Sequence, residues 1–302
     1  MIQNEAAVIA DSLWTATANP APHCPPQVGE ADCDVAIIGA GYTGLSAAVH
    51  LAERGQRVIL LDAQSPGWGA SGRNGGQVNP GLKEDPDTIE ARFGADMGGR
   101  MVALSGGAGQ FVFDLIARLN ISCDARQTGW IQPFHNEVSE GVVRRRVDQW
   151  VRRGASLRLL DRETTAALLG TTTYHGAMID DRGGNLHPLN YALGLADAAL
   201  AAGAAIHGHS RVSAHETHGD LQVLTTPQGK VTAKTVLVCT NGYTSDVVSP
   251  LRRTVVPIRS IQVATEPLPP ELSAKILPEG HSASDARRLL LYFRKDAAGR
   301  FI

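Results

Sequence analysis

Short apolar runs rich in β-branched residues alternate with glycine-marked turns and stretches of helical period near the start of the chain. Residues 34–38 (Asp-Val-Ala-Ile-Ile) read as a buried parallel strand. The turn Gly39-Ala-Gly-Tyr-Thr-Gly44 follows, and residues 45–54 then carry helical spacing that stops at Gly55. Residues 57–62 (Arg-Val-Ile-Leu-Leu-Asp) are a second buried strand, which completes a βαβ unit with a short return. Helical spacing over 87–119 is interrupted by Gly98-Gly99 and Gly106-Gly107, so two helices with a break are expected there. Residues 129–134 read as a strand, 138–153 as a helix, and 189–202 as an alanine-rich helix that starts after Pro188 and ends at Gly203. Short strands are expected at 205–207, 211–213, 221–225, 230–232 and 235–239. A last pair is expected at 289–294 and 299–302, turned by Asp296-Ala-Ala-Gly299, whereas residues 1–32, with Pro20, Pro22, Pro25 and Pro26, read as an extended surface arm.

Composition narrows the class. A chain of 302 residues that is 43% hydrophobic and 19% charged is expected to be a soluble globular protein of two domains. A net charge of -2 gives no electrostatic reason to expect a nucleic acid or anionic membrane partner. Arg144, Arg145, Arg146, Arg152 and Arg153 sit at helical spacing among Val143, Val147, Trp150 and Val151 and read as a solvated helix face. Cys24, Cys33, Cys123 and Cys239 show no Cys-x-x-Cys spacing, so neither a zinc ribbon nor a redox dithiol is indicated and a reducing cytoplasm is expected. No run of 18 apolar residues suggests a membrane span, and Glu5 and Asp11 do not suit a signal peptide. No internal repeat and no Ser-His-Asp or Cys-His spacing stands out. His207, His209, His215 and His218 fall in a hairpin region with little promise as a metal site, and His50 and His187 read as structural.

The candidate chemistry begins at Gly39, Gly41 and Gly44, which form G-x-G-x-x-G between a strand and a helix. Gly39 permits the tight turn, Gly41 lets a pyrophosphate approach the backbone, and Gly44 allows close packing of helix on strand. The helix start offers free N–H groups and partial positive charge to phosphates. Asp62 closes the second strand, where a carboxylate accepts from adenosine ribose hydroxyls and repels a 2′-phosphate, so FAD or NAD is favoured over NADP. A glycine-rich turn without a ligand is the plainer alternative. The fingerprint by itself does not separate FAD from NAD.

The stretch after Asp62 does separate them. Residues 69–77 read Gly-Ala-Ser-Gly-Arg-Asn-Gly-Gly-Gln. Together with the fingerprint, this order resembles the FAD-dependent amine and D-amino-acid oxidoreductases, the family with the glycine-oxidase and sarcosine-oxidase fold, and looks most like its γ-glutamylputrescine oxidoreductase branch. In such proteins the loop runs from the FAD phosphates to the flavin ring. The resemblance thus implies cofactor contacts from Gly39, Ala40, Gly41, Tyr42, Thr43 and Gly44, from Asp62 and Ala63, and from Gly69, Ala70, Ser71, Gly72, Arg73, Asn74, Gly75, Gly76 and Gln77. The physics agrees: Gly75 and Gly76 hold no side chain between backbone and ring, Ser71 can donate to a phosphate, and Asn74 and Gln77 can bond ring heteroatoms. Later stretches continue the likeness. Arg211 and Val212 match a strand that touches adenine, Cys239, Thr240, Asn241 and Gly242 match a turn over the pyrophosphate, and 258–267 matches a crossover between domains.

What the resemblance implies is an α/β fold with a discontinuous Rossmann-like FAD-binding domain (33–85 and 184–256). Its companion is an α+β substrate domain (86–183 and 257–302) built on a largely antiparallel sheet and incomplete at the C-terminus. Family members are longer, so a truncated chain is expected. The implied reaction is oxidation of an amine C–N bond by hydride transfer to flavin N5, with hydrolysis of the imine. Arg73 is the candidate for charge at the flavin edge, and Tyr292 and Arg294 are candidates for positioning a small amine substrate. Ordinary strand alternation, with Tyr292 half-buried and Arg294 solvated, is the alternative for that pair. A D-amino-acid dehydrogenase or oxidase, or an inactive FAD-binding fragment, stays open as the function.

Overall fold

The computed structural model describes residues 6–258 and 260–302; residues 1–5 of the expected arm and Arg259 of the expected crossover lie outside the described residues. The arm is not wholly extended. It contains a one-turn helix, α1 (Leu13–Ala16), which buries Trp14. The chain continues through β1 (Gly29–Ile38), α2 (Tyr42–Ala52) and β2 (Val58–Leu61). After the glycine-rich loop come β3 (Gln77–Val78), α3 (Pro86–Phe93), α4 (Ala95–Arg118), β4 (Trp130–Phe134), α5 (Glu137–Val151), β5 (Leu157–Leu160) and α6 (Arg162–Leu169). Then follow β6 (Gly176–Asp180), β7 (Gly184–Asn185), α7 (Pro188–Ala201), β8 (Ala205–His207), β9 (Ala214–His218), β10 (Leu221–Thr225) and β11 (Gly229–Val238). Two single-turn helices, α8 (Ser249–Arg252) and α9 (Pro270–Ser273), and the strands β12 (Ser282–Ser284) and β13 (Tyr292–Phe293) complete it.

The chain divides into two compact units. The first comprises Met1–Asn74, Ile121–Cys123 and Pro188–Ile261, and the second Gly75–Asn120, Asp124–His187 and Gln262–Ile302. These bounds differ from those read from the sequence at residues 75–85 and 184–187, which fall in the second unit, and at 121–123 and 257–261, which fall in the first. For residues 75–85 and 184–187 a pairing that spacing does not reveal accounts for this: β3 lies antiparallel to β7, with Gln77 opposite Asn185.

In the first unit the strands run β8-β2-β1-β11-β10-β9, parallel as far as β11 and antiparallel beyond it. Ile37, Leu60 and Leu61 are fully buried in the centre, and Leu45 and Val49 of α2 are buried with them. Two strands are longer than the apolar pattern suggests. β1 starts at Gly29 because its polar first half pairs with β11 through the backbone, Gly29 opposite Gly229. The strands expected at 230–232 and 235–239 are one, β11, in which exposed Lys234 bonds Asp34 at 3.1 Å. Residues 211–213 form no strand; β9 begins just after them, although Ser213 N does donate to Thr225 O at 2.9 Å.

The second unit is built on the order β13-β12-β4-β6-β5, antiparallel except for the pair β12 and β4. One apolar cluster joins Ile89, Val102, Val143, Val147 and Trp150 of the helices to Trp130, Phe134 and Met178 of the sheet. Another gathers Ile131, Ile179, Leu169, Tyr174 and Leu277. The C-terminal turn forms as expected, with Arg294 and Ile302 exchanging backbone hydrogen bonds of 2.9 Å. The arginines of α5 and of the turn after it are more engaged than a solvated face requires. Arg146 donates to Asp85 at 2.7 Å and to Gln132 at 2.6 Å, and Arg153 donates to Asp87 at 2.8 Å and Glu90 at 2.6 Å.

The helical stretch after residue 86 is indeed two helices, but the break is at Gly94, where φ is +79°, and α4 runs unbroken through both glycine pairs. Those glycines serve packing. A Cβ at Gly98 would lie 2.6 Å from the Glu90 Cα of α3, and one at Gly106 would lie 2.7 Å from the Trp150 ring, whereas Gly99 faces open space. Gly98→Ala is therefore expected to destabilise the protein by about 1–3 kcal/mol through overpacking, although alanine is the better helix former. Gly99→Ala is expected to stabilise it by up to about 1 kcal/mol from propensity alone. Urea unfolding followed by circular dichroism reads both, and equal effects at the two sites would refute the packing argument.

Candidate cofactor site

A cavity of about 420 Å³ opens at the carboxyl ends of β1, β2 and β11 in the first unit. Parallel α/β sheets bind ligands at such a place, where the connections leave a central strand in opposite directions; here β2 lies on one side of β1 and β11 on the other. Of the expected residues, Gly39, Ala40, Gly41, Tyr42, Thr43, Asp62, Ala63, Gly69, Ala70, Ser71, Arg211, Val212, Cys239, Thr240 and Asn241 line it. Ile38, Leu61, Gln64, Trp68, Tyr243 and Ser245 line it too and were not expected. Trp68 and Tyr243 flank the quoted motifs directly, and their aromatic character was the available signal.

The glycines have separable roles. Gly39 has φ +109°, and a Cβ there would lie 2.7 Å from the Cys239 carbonyl oxygen. A Cβ at Gly44 would lie 2.0 Å from the Gly39 oxygen, so Gly44 serves packing and does not line the cavity. A Cβ at Gly41 would lie 2.8 Å from Ser71 Oγ, which accepts from Tyr42 N at 3.0 Å at the start of α2. The hydroxyl thus stands over the helix terminus, where an anion is favoured.

The first part of the glycine-rich loop is bonded largely to itself. Arg73 Nε donates to Trp68 O at 2.8 Å, and its guanidinium lies 4.5 Å from the Trp68 ring centre. Trp68 in turn meets Tyr243 edge-on at 5.3 Å. Asn74 donates to Ser71 O at 2.9 Å and to the Tyr42 hydroxyl at 3.1 Å, and that hydroxyl donates to Pro188 O at 2.9 Å. Neither Arg73, Asn74, Gly72 nor Gly242 is in the cavity wall. Gly72 is required because its Cβ would lie 2.2 Å from Gly67 O.

Gly75, Gly76 and Gln77 belong to the second unit, as do Tyr292 and Arg294. A Cβ at Gly75 would lie 3.1 Å from the Gln262 amide nitrogen and 3.6 Å from the Tyr292 ring. Gln77 donates to the carbonyls of Ala283 at 3.0 Å and Phe293 at 3.2 Å. Arg294 is not solvated: it is 3% exposed and donates to backbone oxygens. Among the described residues no cluster of histidines, cysteines or carboxylates is placed to hold a metal. His215 bonds Gln222 and His218 faces Glu216.

Asp62 carries the main electrostatic feature. Its Oδ2 accepts from Ala40 N at 2.7 Å and its Oδ1 from Gln64 N at 2.7 Å. Burial pushes its carboxyl above the usual aspartate range, and these two N–H groups together with Arg211 and His209 pull against that rise.

Over residues 34–302 the chain matches the DAO family of FAD dependent oxidoreductases, and it belongs to that family. It is 36% identical over 272 residues to the gamma-glutamylputrescine oxidoreductase of Escherichia coli, covering 89% of this chain and 63% of that protein. It is 35% identical over 293 residues to a probable oxidoreductase, OrdL, of Rhizobium meliloti, covering 96% of this chain and 68% of that one. The chain thus spans a little under two thirds of the length of the first of these relatives. The glycine oxidase of Geobacillus kaustophilus shares the fold with a TM-score of 0.70 at 20% identity, over 90% of this chain and 70% of its own.

FAD is the family's cofactor, and the cavity suits it. The turn at Gly39 and Gly41 admits no side chain, a helix start and the Ser71 hydroxyl border the cavity and suit a phosphate, and a carboxylate stands at the end of β2. A carboxyl with a raised pKa takes up its proton at a higher pH than an ordinary aspartate, and only the carboxylate accepts from both ribose hydroxyls. If Asp62 bonds the ribose, FAD affinity is therefore expected to fall about tenfold or more on acidification, at a higher pH than an ordinary aspartate would give, the loss of a hydrogen bond to a charged group being about 1.5–3 kcal/mol. Flavin fluorescence titrations from pH 8 to pH 5 read this. Asp62→Asn should remove the dependence, and an unchanged dependence in that variant would rule out Asp62 as its source.

Proposed function

We propose that this chain uses FAD to oxidise the C–N bond of an amine of the γ-glutamylputrescine kind, with hydrolysis of the imine that results. The observation that carries the reading is the cavity at the ends of β1, β2 and β11, with side-chain-free backbone at Gly39 and Gly41 and a carboxylate at Asp62. The 36% identity to a gamma-glutamylputrescine oxidoreductase supports the substrate class. Bound FAD supplies the acceptor for the hydride leaving the amine-bearing carbon.

The residues of the chain bind, orient and shield. The start of α2 and Ser71 hold the pyrophosphate, Asp62 the ribose, and Val212 and Arg211 the adenine end, while Trp68 and Tyr243 form an aromatic wall. Arg73 acts through this wall, since its guanidinium is stacked on Trp68. By the resemblance of the loop to the family's, Gly75 and Gly76 would border the flavin ring and Tyr292 would help orient the substrate. In this reading the first unit is the FAD-binding domain and the second the substrate domain. Burial raises the thiols of Cys24 and Cys33 to about 11 and that of Cys239 as well, so they stay protonated and inert. All four cysteines are free, which suits the cytoplasm, and no helix among the described residues is long and apolar enough to cross a membrane.

The chain incubated with FAD and freed of excess should show flavin absorption bands. These should bleach anaerobically with γ-glutamylputrescine and not with D-alanine; a colourless soluble protein, or bleaching by D-alanine alone, would overturn the proposal. Gly75→Val should abolish FAD uptake yet leave the fold intact, because the nearest obstacle to the new side chain is the flexible end of Gln262. A yellow Gly75→Val protein would show that the ring does not lie against this backbone.

A further inference from the structure

β13 runs on into two buried cations, Arg294 at 3% and Lys295 at 8% exposure. Successive strand side chains leave in opposite directions, and these two reach different elements. Lys295 Nζ donates to the carbonyls of Ser273 at 2.5 Å and Ile276 at 3.0 Å, capping the end of α9. Arg294 reaches the loop. Its Nε donates to Gly75 O at 2.6 Å, one terminal nitrogen to Leu186 O at 3.0 Å, and the other to Asn185 Oδ1 at 3.4 Å. Taking a guanidinium out of water is costly unless its donors are used, and its rigid planar fork suits acceptors that diverge in a way a single ammonium does not.

The acceptors share one location. β3 and β7 pair over two residues each, and Leu186 N donates to Gly76 O at 2.8 Å just beyond that pairing. A ribbon so short does not hold itself in water. Arg294 bonds one backbone oxygen on each strand's side of its open end, while Gln77 ties the same segment to Ala283 and Phe293. We propose that Arg294 is a positioning residue. Its buried guanidinium sets the place of the Gly75–Gly76 backbone against Tyr292 and Gln262, and so aligns the flavin-facing end of the loop, and it does not bind substrate. The second half of this statement rests on the ring-facing reading of Gly75 and Gly76.

Hydrogen exchange on the full chain without FAD tests the clamp apart from that reading. The Leu186 amide should be strongly protected in the unaltered protein. In Arg294→Lys, which keeps the charge and most of the stem, the amides of Leu186 and of residues 76–78 should exchange at least tenfold faster, while the protection of β1 is unchanged. Loading with FAD adds a second readout: Arg294→Lys should shift the bound flavin's visible bands. It should also lower kcat at least tenfold, with KM moving by the same factor for amines with and without a carboxylate. An unprotected Leu186 amide in the unaltered chain, unchanged exchange in Arg294→Lys, or a KM rise confined to carboxylate-bearing amines would overturn the proposal. Should the variant not fold, the Leu186 result in the unaltered chain still decides. A protected Leu186 in a chain that takes up no FAD would sustain the clamp and overturn the alignment of a flavin-facing loop.

Discussion

Backbone meets backbone at the end of β1, and the rest of the first unit is arranged around that contact. The oxygen of Gly39 occupies the place of a Cβ on Gly44, and the oxygen of Cys239 lies where a Cβ on Gly39 would press. Three chain segments are thus drawn together with no side chain between them: the end of β1, the first turn of α2, and the end of β11. Cys239 N closes the arrangement by donating to Ile38 O at 2.8 Å. The contact fixes where α2 begins and which way its N-terminal N–H groups face. A cavity with a positive floor follows at the carboxyl edge of the sheet.

Three charged groups in the two units are met by backbone groups. Asp62 is met by the N–H groups of Ala40 and Gln64, Arg294 by the oxygens of Gly75 and Leu186, and Lys295 by those of Ser273 and Ile276. Backbone groups are supplied by the fold and do not reorganise, so a charge held this way has a fixed place. A buried carboxylate and a buried guanidinium each keep one position in this way. The cost is dependence on register: a one-residue slip of β3 or β7 would remove the acceptors that Arg294 needs.

The elements that the chain's pattern reveals best are those whose cause is local. The βαβ unit, the alanine-rich α7 and the turn at Asp296 all appear where apolar period and glycine placement put them. The failures have a common cause in long-range pairing. The polar half of β1 is a strand because β11 lies beside it, and β11 is continuous because β1 and β10 flank it. Glycine pairs in α4 look like breaks, yet Gly98 and Gly106 let α3 and Trp150 come close, and the true break is at lone Gly94, with φ +79°. The arginines of α5 and of the turn after it look solvated because their partners, Asp85, Asp87 and Glu90, lie some sixty positions earlier.

The same division runs through the candidate site. Residue type and spacing point to a dinucleotide-type turn and an acid at the end of its second strand, because each depends on a few neighbouring residues and on what a glycine or a carboxylate can do, whereas the loop at 69–77 reads as flavin-facing from its resemblance to a known family. Tertiary structure decided how each side chain is used. Arg73, expected at the flavin edge, is stacked on Trp68, and Arg294, expected either against substrate or in water, is buried against backbone oxygens. A sequence shows that a guanidinium has donors to give. Which acceptors it meets is set by segments brought in from elsewhere in the chain, here Gly75 from 219 positions away.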